Sequence, residues 1–423
     1  MDHFNYQKGE LYAENIPVKQ LAATYGTPLY IYSKATLLRH VQAFKEAFAG
    51  RNGLVCYAVK ANSNLAILQL LAKQGIGFDI VSGGELARVI AAGGDPHKVI
   101  FSGVAKTEAE IEQALLAGIY CFNVESAQEL DRINAVAARL NLVAPISFRI
   151  NPNVDAKTHP YISTGLKENK FGIPIEEALG EYQRAQTMRN IKIKGLDFHI
   201  GSQLTQISPY IDAIKELKRL IRQLYGSGIQ LTHLDIGGGL GVTYSVEAPP
   251  LPNELINAAY AELADLFEDV GTLQLIVEPG RSIVANAGIF VYKVEYTKDN
   301  LDKNFAIVDA GMNDNIRPSL YNAYMNIITV EENPSADIKL YDVVGPVCET
   351  GDFQGKSRQL RLAPGDLLAM RGSGAYCSAM SSNYNSRPKC AEILVDDEKA
   401  HVICQRETYE DLWRNEHLLD EAS

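Results

Sequence analysis

The amino-acid sequence predicts an α/β fold in which a parallel (β/α)8 TIM-like barrel is followed by a second, mostly β C-terminal domain. First, about eight short apolar runs alternate with helical patterns between residues 54 and 278, and eight strands close such a barrel. Second, after residue 285 the pattern changes to strand-like runs separated by Gly, Pro and Asn. A chain of 423 residues exceeds one ordinary core and has room for both domains.

The barrel strands are predicted at short apolar runs, which occupy residues 54–59, 78–81, 99–101, 120–124, 145–150, 194–200, 232–236 and 273–277. The intervening helices are predicted where apolar residues recur three and four positions apart. These patterns cover residues 65–73, 84–92, 108–117, 127–140, 209–224 and 253–269. An open, doubly wound sheet is the alternative architecture, but it would not usually need eight such units in a row.

The predicted domain limits are residues 34–285 for the barrel and residues 286–423 for the β-rich domain. The strand-like runs of the second domain cover residues 289–296, 305–308, 338–344, 367–370, 392–395 and 401–404. Residues 1–33 form a separate N-terminal segment. Its strand-like run at residues 28–32 precedes the first barrel helix, and we expect this segment to join the β domain.

Two connections are unusually long for a compact domain. Residues 151–173 are polar and contain glycine, which predicts either a mobile flap near the mouth of the barrel or an ordinary surface loop. Residues 244–252 contain three prolines and resemble a stiff connector, to which the sequence assigns no chemistry.

The composition is that of a folded protein, with 46% hydrophobic and 22% charged residues. A formal charge of −11 and a pI near 5.3 leave no basic face for nucleic acid or anionic lipid. The six cysteines lack paired metal-ligand spacing, residues 1–15 lack an apolar signal core, and no run reaches the length of a membrane helix. We therefore expect a reduced, cytoplasmic protein without a metal centre or a membrane partner.

A lysine follows directly on the first predicted strand. Residues 55–62 read VCYAVKAN, which places Lys60 at the mouth where parallel barrels carry their active sites. Low dielectric at such a position disfavours the ammonium form and favours an imine between the amine and an aldehyde cofactor. The structural alternative is a lysine whose ammonium simply reaches solvent from the end of the strand.

Glycine-rich turns follow the last two predicted barrel strands. Gly237, Gly238 and Gly239 follow the seventh strand and Gly280 follows the eighth, the two places where barrels commonly hold a phosphate. Glycines allow backbone N–H groups to converge on phosphate oxygens without obstruction by side chains. A triple glycine taken alone would indicate a flexible turn, and the pairing with Gly280 is what favours the phosphate site.

Glu278 and His199 end the eighth and sixth predicted strands. The carboxylate of Glu278 could hold a proton on the ring nitrogen of a pyridine aldehyde, or it could form a structural ion pair with Arg281. The imidazole of His199 could stack on such a ring, or it could be an ordinary buried histidine.

Six motifs in order carry a resemblance to a known family: residues 57–62 (YAVKAN), 199–203 (HIGSQ), 237–239 (GGG), 278–281 (EPGR), 317–321 (RPSLY) and 348–352 (CETGD). The set resembles the fold-type III pyridoxal-phosphate decarboxylases, whose fold is alanine-racemase-like, and is most similar among them to the diaminopimelate decarboxylase family. The resemblance extends from about residue 28 to beyond Tyr376.

The resemblance implies that the barrel binds pyridoxal 5'-phosphate. Lys60 would bond covalently to the cofactor aldehyde, His199 would stack on the ring, and Glu278 would pair with the ring nitrogen. The other cofactor-binding residues that it implies are Asp79, Ser202, Gly237, Gly238, Gly239, Gly280, Arg281 and Tyr376. A carboxylate at Glu278 favours decarboxylation over racemisation, because alanine racemase has an arginine in this role, which leaves the ring less electron-withdrawing.

The resemblance also implies how the substrate is bound and protonated. Its distal carboxylate would be gripped by Arg281, Arg317 and Tyr321, with Tyr376 also in contact, and Glu349 would bind the distal ammonium. Cys348 would return a proton to Cα and would come from the partner subunit, which implies a homodimer with shared active sites. Outside this motif, a cysteine at such a position would be interpreted as an inert small residue.

The predicted activity is the pyridoxal-phosphate-dependent decarboxylation of meso-2,6-diaminopimelate to L-lysine and CO2, the last step of lysine biosynthesis, by a carbon–carbon lyase. The alternatives are decarboxylation of arginine, ornithine or carboxynorspermidine, racemisation of alanine, and a carrier that binds the cofactor without turnover. Arg317 argues against substrates with a basic distal end. The β-rich extension of about 130 residues argues against a carrier, since carriers resemble the barrel alone.

Overall fold

The computed structural model describes residues 2–154, 170–300 and 302–419. The chain divides into two compact units. The β unit consists of Met1–Leu37 and Ala285–Ser423, and the barrel unit consists of Leu38–Val284. Among the described residues, no helix combines the length and the apolar character that crossing a membrane requires.

The N-terminal part of the β unit begins with a small antiparallel sheet. It is formed by β1 (Phe4–Gln7), β2 (Glu10–Ala13) and β3 (Ile16–Pro17), followed by α1 (Val18–Tyr25) and β4 (Leu29–Ser33). The next element is α2 (Lys34–Ala47), most of which belongs to the barrel unit.

The barrel unit contains a closed ring of eight parallel strands. These are β5 (Gly53–Ala58), β6 (Gly77–Ile80), β7 (Val99–Phe101), β8 (Cys121–Val124), β9 (Ala144–Asn151), β11 (Ile191–Asp197), β12 (His233–Asp235) and β13 (Gln274–Val277), and the two-residue β10 (Ile173–Pro174) pairs with β9 outside the ring. Pairing of β13 with β5 closes the ring, because β8 and β9 also pair. The predicted barrel is confirmed.

Helices follow the strands at positions that the capping residues fix. They are α3 (Leu65–Ala72), α4 (Gly83–Ala91), α5 (Glu108–Ala117), α6 (Ala127–Arg139), α7 (Ile175–Gln186), α8 (Ser208–Gly226), α9 (Pro252–Val270) and α10 (Arg281–Val284). A backbone N–H in the first turn of α4, α5 and α6 donates a hydrogen bond to the side chain of the residue before each helix. These capping residues are Ser82, Thr107 and Ser126, respectively. Short polar residues between strand and helix therefore define where these three helices begin.

The rest of the β unit is mainly sheet. Its elements are β14 (Gly288–Asn300), β15 (Lys303–Val308), α11 (Arg317–Tyr321), β16 (Ile327–Thr329), β17 (Lys339–Val344), β18 (Phe353–Leu360), β19 (Leu367–Met370), β20 (Ala391–Asp396), β21 (Lys399–Cys404) and α12 (Tyr409–Trp413). The sheet runs β18-β17-β15-β14-β4-β20-β21, and β19 pairs with both β14 and β16. The second, mostly β domain is therefore confirmed, and β4 lies between β14 and β20.

Several elements were not predicted from the sequence. The helix α7 buries mainly Ala178, Tyr182 and Ala185, so it lacks the run of large apolar residues that marks the other helices. The strand β18 has the polar sequence FQGKSRQL and contains a register shift. The central part of the predicted flap, residues 155–169, lies outside the described residues.

Two glycines of the barrel unit provide a matched test of packing. A Cβ at Gly77, the first residue of β6, would lie 2.3 Å from the carbonyl oxygen of Lys98. At Gly180, inside α7, nothing lies within 4 Å. We expect Gly77→Ala to lower the free energy of unfolding by about 1–3 kcal/mol, and Gly180→Ala to raise it by about 0.5–1 kcal/mol through helix propensity. Urea midpoints measure both, and equal effects of the two changes would contradict the packing described here.

Candidate active site

Buried polar side chains concentrate at the carboxyl ends of the barrel strands. Asp79, Arg149, Asp197 and Asp235 come from β6, β9, β11 and β12, and each is at most 7% exposed. Below them, the interior contains a small apolar cluster formed by Cys56, Ile100, Cys121 and Ile276. Because the carboxyl ends of parallel strands meet at one mouth, the groups able to do chemistry are gathered there.

Lys60 lies in a single 3-10 turn, Val59–Ala61, directly after β5. Its ammonium forms an ion pair with the carboxylate of Asp79 in β6. The side chain of Asp79 is fully buried, whereas that of Lys60 is 40% exposed. The amine of Lys60 therefore contacts a carboxylate and solvent. The sequence had predicted an apolar environment of low dielectric for this amine.

Glu85 is a further acid near this ion pair. It lies in the first turn of α4, and its Oε2 accepts a 2.7 Å hydrogen bond from the N–H of Val81. Burial raises the pKa of Glu85 to about 7, the bond from Val81 and the charge of Lys60 oppose the rise, and the charge of Asp79 adds to it. Glu85 was not predicted from the sequence as a site residue, because a glutamate in the first helical turn is typical of ordinary capping.

Three carboxyl groups lie together beside the amine. Asp197, Asp235 and Glu278 offer oxygens that are all within 4.8 Å of one another, and all three residues are buried. Burial, followed by the charges of Asp235, Asp79 and Asp197, raises the pKa of Glu278 well above its usual range. Within the described part of the chain, Oε1 of Glu278 has no hydrogen-bond partner.

His199 follows β11 and is held by the glycine loop. Its Nδ1 accepts a 3.3 Å hydrogen bond from the N–H of Gly238, which leaves the ring proton on Nε2. Burial, followed by the charges of Arg149 and Lys60, lowers the pKa of His199 well below its usual value. The imidazole is therefore neutral at pH 7.

The glycine loop requires its glycines for close packing. Gly237 and Gly239 have φ angles of 68° and 99°. A Cβ at Gly238 would lie 2.2 Å from the carbonyl oxygen of Glu278, and one at Gly280 would lie 3.0 Å from the Cβ of Ala61, next to Lys60. The two predicted phosphate turns therefore pack without side chains at the same mouth.

Arg281 is held in place by two neutral side chains. It donates to Oη of Tyr244 at 2.8 Å and to Oγ of Ser202 at 2.9 Å. Tyr244 begins the segment that the sequence analysis interpreted as a connector without chemistry. Its position soon after the Gly237–239 loop is the signal that could have identified it.

The other predicted site residues lie in the β unit. Cys348 and Glu349 are exposed on one loop. The backbone N–H of Cys348 donates to Oδ1 of Asn385 at 3.0 Å, and Oε1 of Glu349 accepts from the hydroxyl of Tyr384 at 2.6 Å. The buried carboxylate of Asp352 anchors the loop by accepting from the N–H groups of Val347 and Met312.

Arg317 and Tyr321 lie on α11 at positions i and i+4, which places them on the same face of the helix. Arg317 is buried, and Tyr376 is half-buried with a φ of 59°. The predicted residues thus fall into two sets, one in each unit, and Lys60, Asp79, His199, Ser202, Gly237–239, Glu278, Gly280 and Arg281 form the set in the barrel unit.

Comparison with known proteins identifies the family. Residues 34–285 match the model of the pyridoxal-dependent decarboxylase, pyridoxal binding domain. A diaminopimelate decarboxylase of Haemophilus influenzae is 56% identical over 99% of this chain and its own full length. The chain belongs to the diaminopimelate decarboxylase family.

Solved structures of the diaminopimelate decarboxylase family have the same fold. The enzyme from M. jannaschii, in complex with L-lysine, has a TM-score of 0.95 at 38% identity and covers 99% of this chain and 98% of its own. The Helicobacter pylori enzyme, also with L-lysine, has a TM-score of 0.90 at 47% identity, covering 94% and 99%.

The diaminopimelate decarboxylase family implies pyridoxal phosphate, and the barrel residues fit this cofactor. Glu278 has a buried carboxylate oxygen that bonds to no partner among the described residues. A protonated pyridine nitrogen requires such an acceptor. Neutral His199 offers a flat ring that does not repel a cation. The N–H groups of Gly237 and Gly238 bond to Asp235 and His199, so within the glycine turns the phosphate would be held by the backbone of Gly239 and Gly280.

The pKa of Glu85 predicts how stability depends on pH. The pKa of Glu85 in the folded protein, about 7, lies above its value in the unfolded chain. Protonated Glu85 therefore makes its full contribution to the free energy of unfolding below about pH 4.3, and this contribution is lost as the pH rises through 7. Between pH 5 and pH 8, the wild type should therefore lose roughly 1–3 kcal/mol more stability than Glu85→Gln, which retains an acceptor for Val81.

Glu110→Gln is the control for this test. The pKa of Glu110 is lowered, chiefly by hydrogen bonds from the N–H groups of Gly83 and Thr107, so its contribution is lost only in stronger acid. Urea unfolding at the two pH values measures the difference. A Glu85→Gln protein with the same pH dependence as the wild type would show that Glu85 does not hold a proton.

Proposed function

We propose that the protein is a cytoplasmic homodimer that decarboxylates meso-2,6-diaminopimelate to L-lysine and CO2, the last step of lysine biosynthesis, using pyridoxal 5'-phosphate held in the barrel. The observation that carries the chemistry is the buried carboxylate of Glu278 at the mouth that also holds Lys60. The names of relatives above 50% identity and the lysine bound in related structures support this substrate over arginine, ornithine and carboxynorspermidine.

Bound pyridoxal phosphate supplies a ring that withdraws electrons from Cα of the amino acid when CO2 leaves. Lys60 would provide the amine that holds the cofactor, and the substrate amine would replace it there. Its ion pair with Asp79 gives the ammonium a nearby carboxylate to which a proton can pass. Glu278 would hold the proton on the ring nitrogen, and His199, which is neutral, would contact the ring without adding positive charge.

The phosphate is assigned to Ser202, the glycine turns, Arg281 and, from the β unit, Tyr376. Arg281 is well suited to bind an anion because Tyr244 and Ser202 fix its guanidinium with uncharged oxygens. The same guanidinium can therefore serve phosphate, substrate carboxylate, or both.

Substrate selection is assigned to a cation and an anion of the β unit. Arg317, with Tyr321 on the same face of α11, would bind the distal carboxylate, and Glu349 would bind the distal ammonium. The contact between Tyr384 and Glu349 supports this role, since it orients the carboxylate while leaving it exposed. A substrate with a plain amine at its far end would leave the guanidinium of Arg317 without its anion.

Protonation of Cα is assigned to the thiol of Cys348, contributed by the partner subunit. Its exposure and its loop, fixed through Asn385 and Asp352, support a thiol that is presented to another chain. The cytoplasmic location rests on the sequence, whose six cysteines have no paired spacing.

Loss of the amine should abolish turnover. We expect Lys60→Ala to lower CO2 release from meso-diaminopimelate by at least about 1,000-fold, because the covalent step has no substitute. Lys73→Ala, which removes an exposed lysine at the end of α3, is the control. Borohydride reduction of the wild type followed by peptide mass spectrometry should find the cofactor on Lys60. Cofactor on another residue, or faster turnover of ornithine or arginine than of diaminopimelate, would reject the proposal.

The role of Arg281 can be tested through Tyr244. Tyr244→Phe removes one of the two oxygens that hold the guanidinium and keeps the ring. We expect an increase of roughly 10-fold in KM for substrate or in the Kd for pyridoxal phosphate, corresponding to one lost charge-assisted hydrogen bond. Steady-state kinetics and cofactor titration measure these changes, with Tyr225→Phe in α8 as the control. Unchanged values of both constants would remove Tyr244 from the site.

A further inference from the structure

Asp235 and Glu278 are neighbouring buried acids at the ends of adjacent strands. Asp235 is the last residue of β12, which pairs in parallel with β13, and Glu278 follows β13 directly. Asp235 is fully buried and Glu278 is 7% exposed. Their carboxyl oxygens, together with those of Asp197, lie within 4.8 Å of one another.

One carboxyl oxygen of Asp235 accepts a hydrogen bond from the backbone. Its Oδ1 accepts a 2.8 Å hydrogen bond from the N–H of Gly237, and the carbonyl of Gly237 accepts a 2.8 Å bond from the N–H of Glu278. The two acids are thus fixed to each other through one glycine. The other oxygen, Oδ2, is buried beside Glu278 and has no other acceptor or donor within the described residues.

The charges around Asp235 favour a neutral acid. The titratable groups that influence it come from every side of the barrel: Asp197 in β11, Glu278 after β13, Asp79 in β6, Lys60 after β5, the thiols of Cys56 and Cys121, and Tyr120. Lys60 pairs with Asp79, and Arg149 pairs with Glu125 at 2.9 Å. Within the part of the chain that the structure describes, the carboxyl groups of Asp197, Asp235 and Glu278 therefore outnumber the positive charges that remain beside them. Two adjacent carboxylates in a dry interior repel strongly.

We propose that Asp235 is a positioning residue, which stays protonated and donates its Oδ2–H to the carboxylate of Glu278, so that Glu278 alone carries the negative charge facing the cofactor ring. This inference rests on the proposed function. The proton resides on Asp235 because a protonated ring nitrogen requires an ionised acceptor, which Glu278 supplies. A hydrogen bond from an acid to a carboxylate is strong and directional, so it fixes the orientation of Glu278. Burial raises the pKa of Asp235 to about 7, and burial followed by the charge of Asp235 raises the pKa of Glu278 well above its usual range, so the two acids retain a proton. The cationic ring, once bound, would assign that proton to Asp235.

Asparagine at position 235 mimics the protonated acid. Its oxygen can accept from Gly237, and its amide can donate to Glu278. In the holoenzyme we expect Asp235→Asn to lose less than about fivefold in kcat, and Asp235→Ala to lose about 10- to 100-fold, the cost of one charge-assisted hydrogen bond. The cofactor absorbance should remain that of the wild type in Asp235→Asn and shift in Asp235→Ala. A loss in Asp235→Asn as large as that in Asp235→Ala would overturn the inference.

A double-mutant cycle separates positioning from a purely structural role. If Asp235 acts through Glu278, Asp235→Ala should add less than about twofold to the loss in a Glu278→Gln background. A fully multiplicative loss would show that Asp235 acts independently of Glu278 and would reject the proposal. Circular dichroism and cofactor binding establish that each variant is folded.

Infrared spectroscopy tests the proton directly and does not depend on turnover. Glu85 and Asp197 also hold protons at pH 6, so the test compares the holoenzyme with Asp235→Asn. The difference spectrum should contain the carbonyl band of one buried protonated carboxyl group, which the wild type has and Asp235→Asn lacks. Retention of that band in Asp235→Asn would place the proton elsewhere and overturn the inference. If the wild type shows the band but releases no CO2 from diaminopimelate, the proposed function fails while the protonation of Asp235 stands.

Discussion

Among the described residues, the burial of more carboxylates than cations at the mouth of the barrel is the constraint on which the site depends. Asp79, Asp197, Asp235 and Glu278 converge there because parallel strands bring their carboxyl ends together. Lys60 neutralises Asp79, and the guanidinium of Arg149 bonds to Glu125. The surplus negative charge must be compensated by protons or by a cationic ligand. A protonated pyridine ring is such a ligand, which links the electrostatics of the barrel to the cofactor of the family.

The backbone of the glycine loop helps to position the side chains of the site. Gly237 and Gly238 connect three functional groups, because their N–H and carbonyl groups bond to Asp235, His199 and Glu278 within a few residues. The absence of Cβ atoms permits this contact, since a side chain at Gly238 would collide with the backbone of Glu278. The loop therefore sets the tautomer of His199 and the position of Glu278.

The sequence predicts what depends on short-range pattern and on the ends of strands. Alternation of apolar runs with helical patterns was enough for the barrel, and the roles proposed for Lys60, His199 and Glu278 rest on their positions at the ends of predicted strands. Tyr244 was missed because its hydroxyl bonds to Arg281, 37 residues further along the chain. Asp235 and Glu85 were missed because a residue at the end of a strand and a residue that caps a helix both have ordinary structural explanations. Their pKa values are raised by burial and by neighbouring charges, which depend on the folded structure. The pairing of Lys60 with Asp79 likewise depends on the register of two strands.

The neutral state of His199 follows from the same logic. In the proposed function the cofactor ring carries a proton, so an imidazolium against its face would repel it and weaken the electron withdrawal on which decarboxylation depends. Burial and the nearby cations Arg149 and Lys60 keep the imidazole neutral, and Gly238 occupies its Nδ1 as a donor, so that position is not available for a proton. In the proposed function, Glu278 would therefore present negative charge to the ring nitrogen, and neutral His199 would add no positive charge at the face of the ring. This division requires both the glycine loop and the buried acids, because removal of either would leave His199 or Glu278 free to adopt the other charge state.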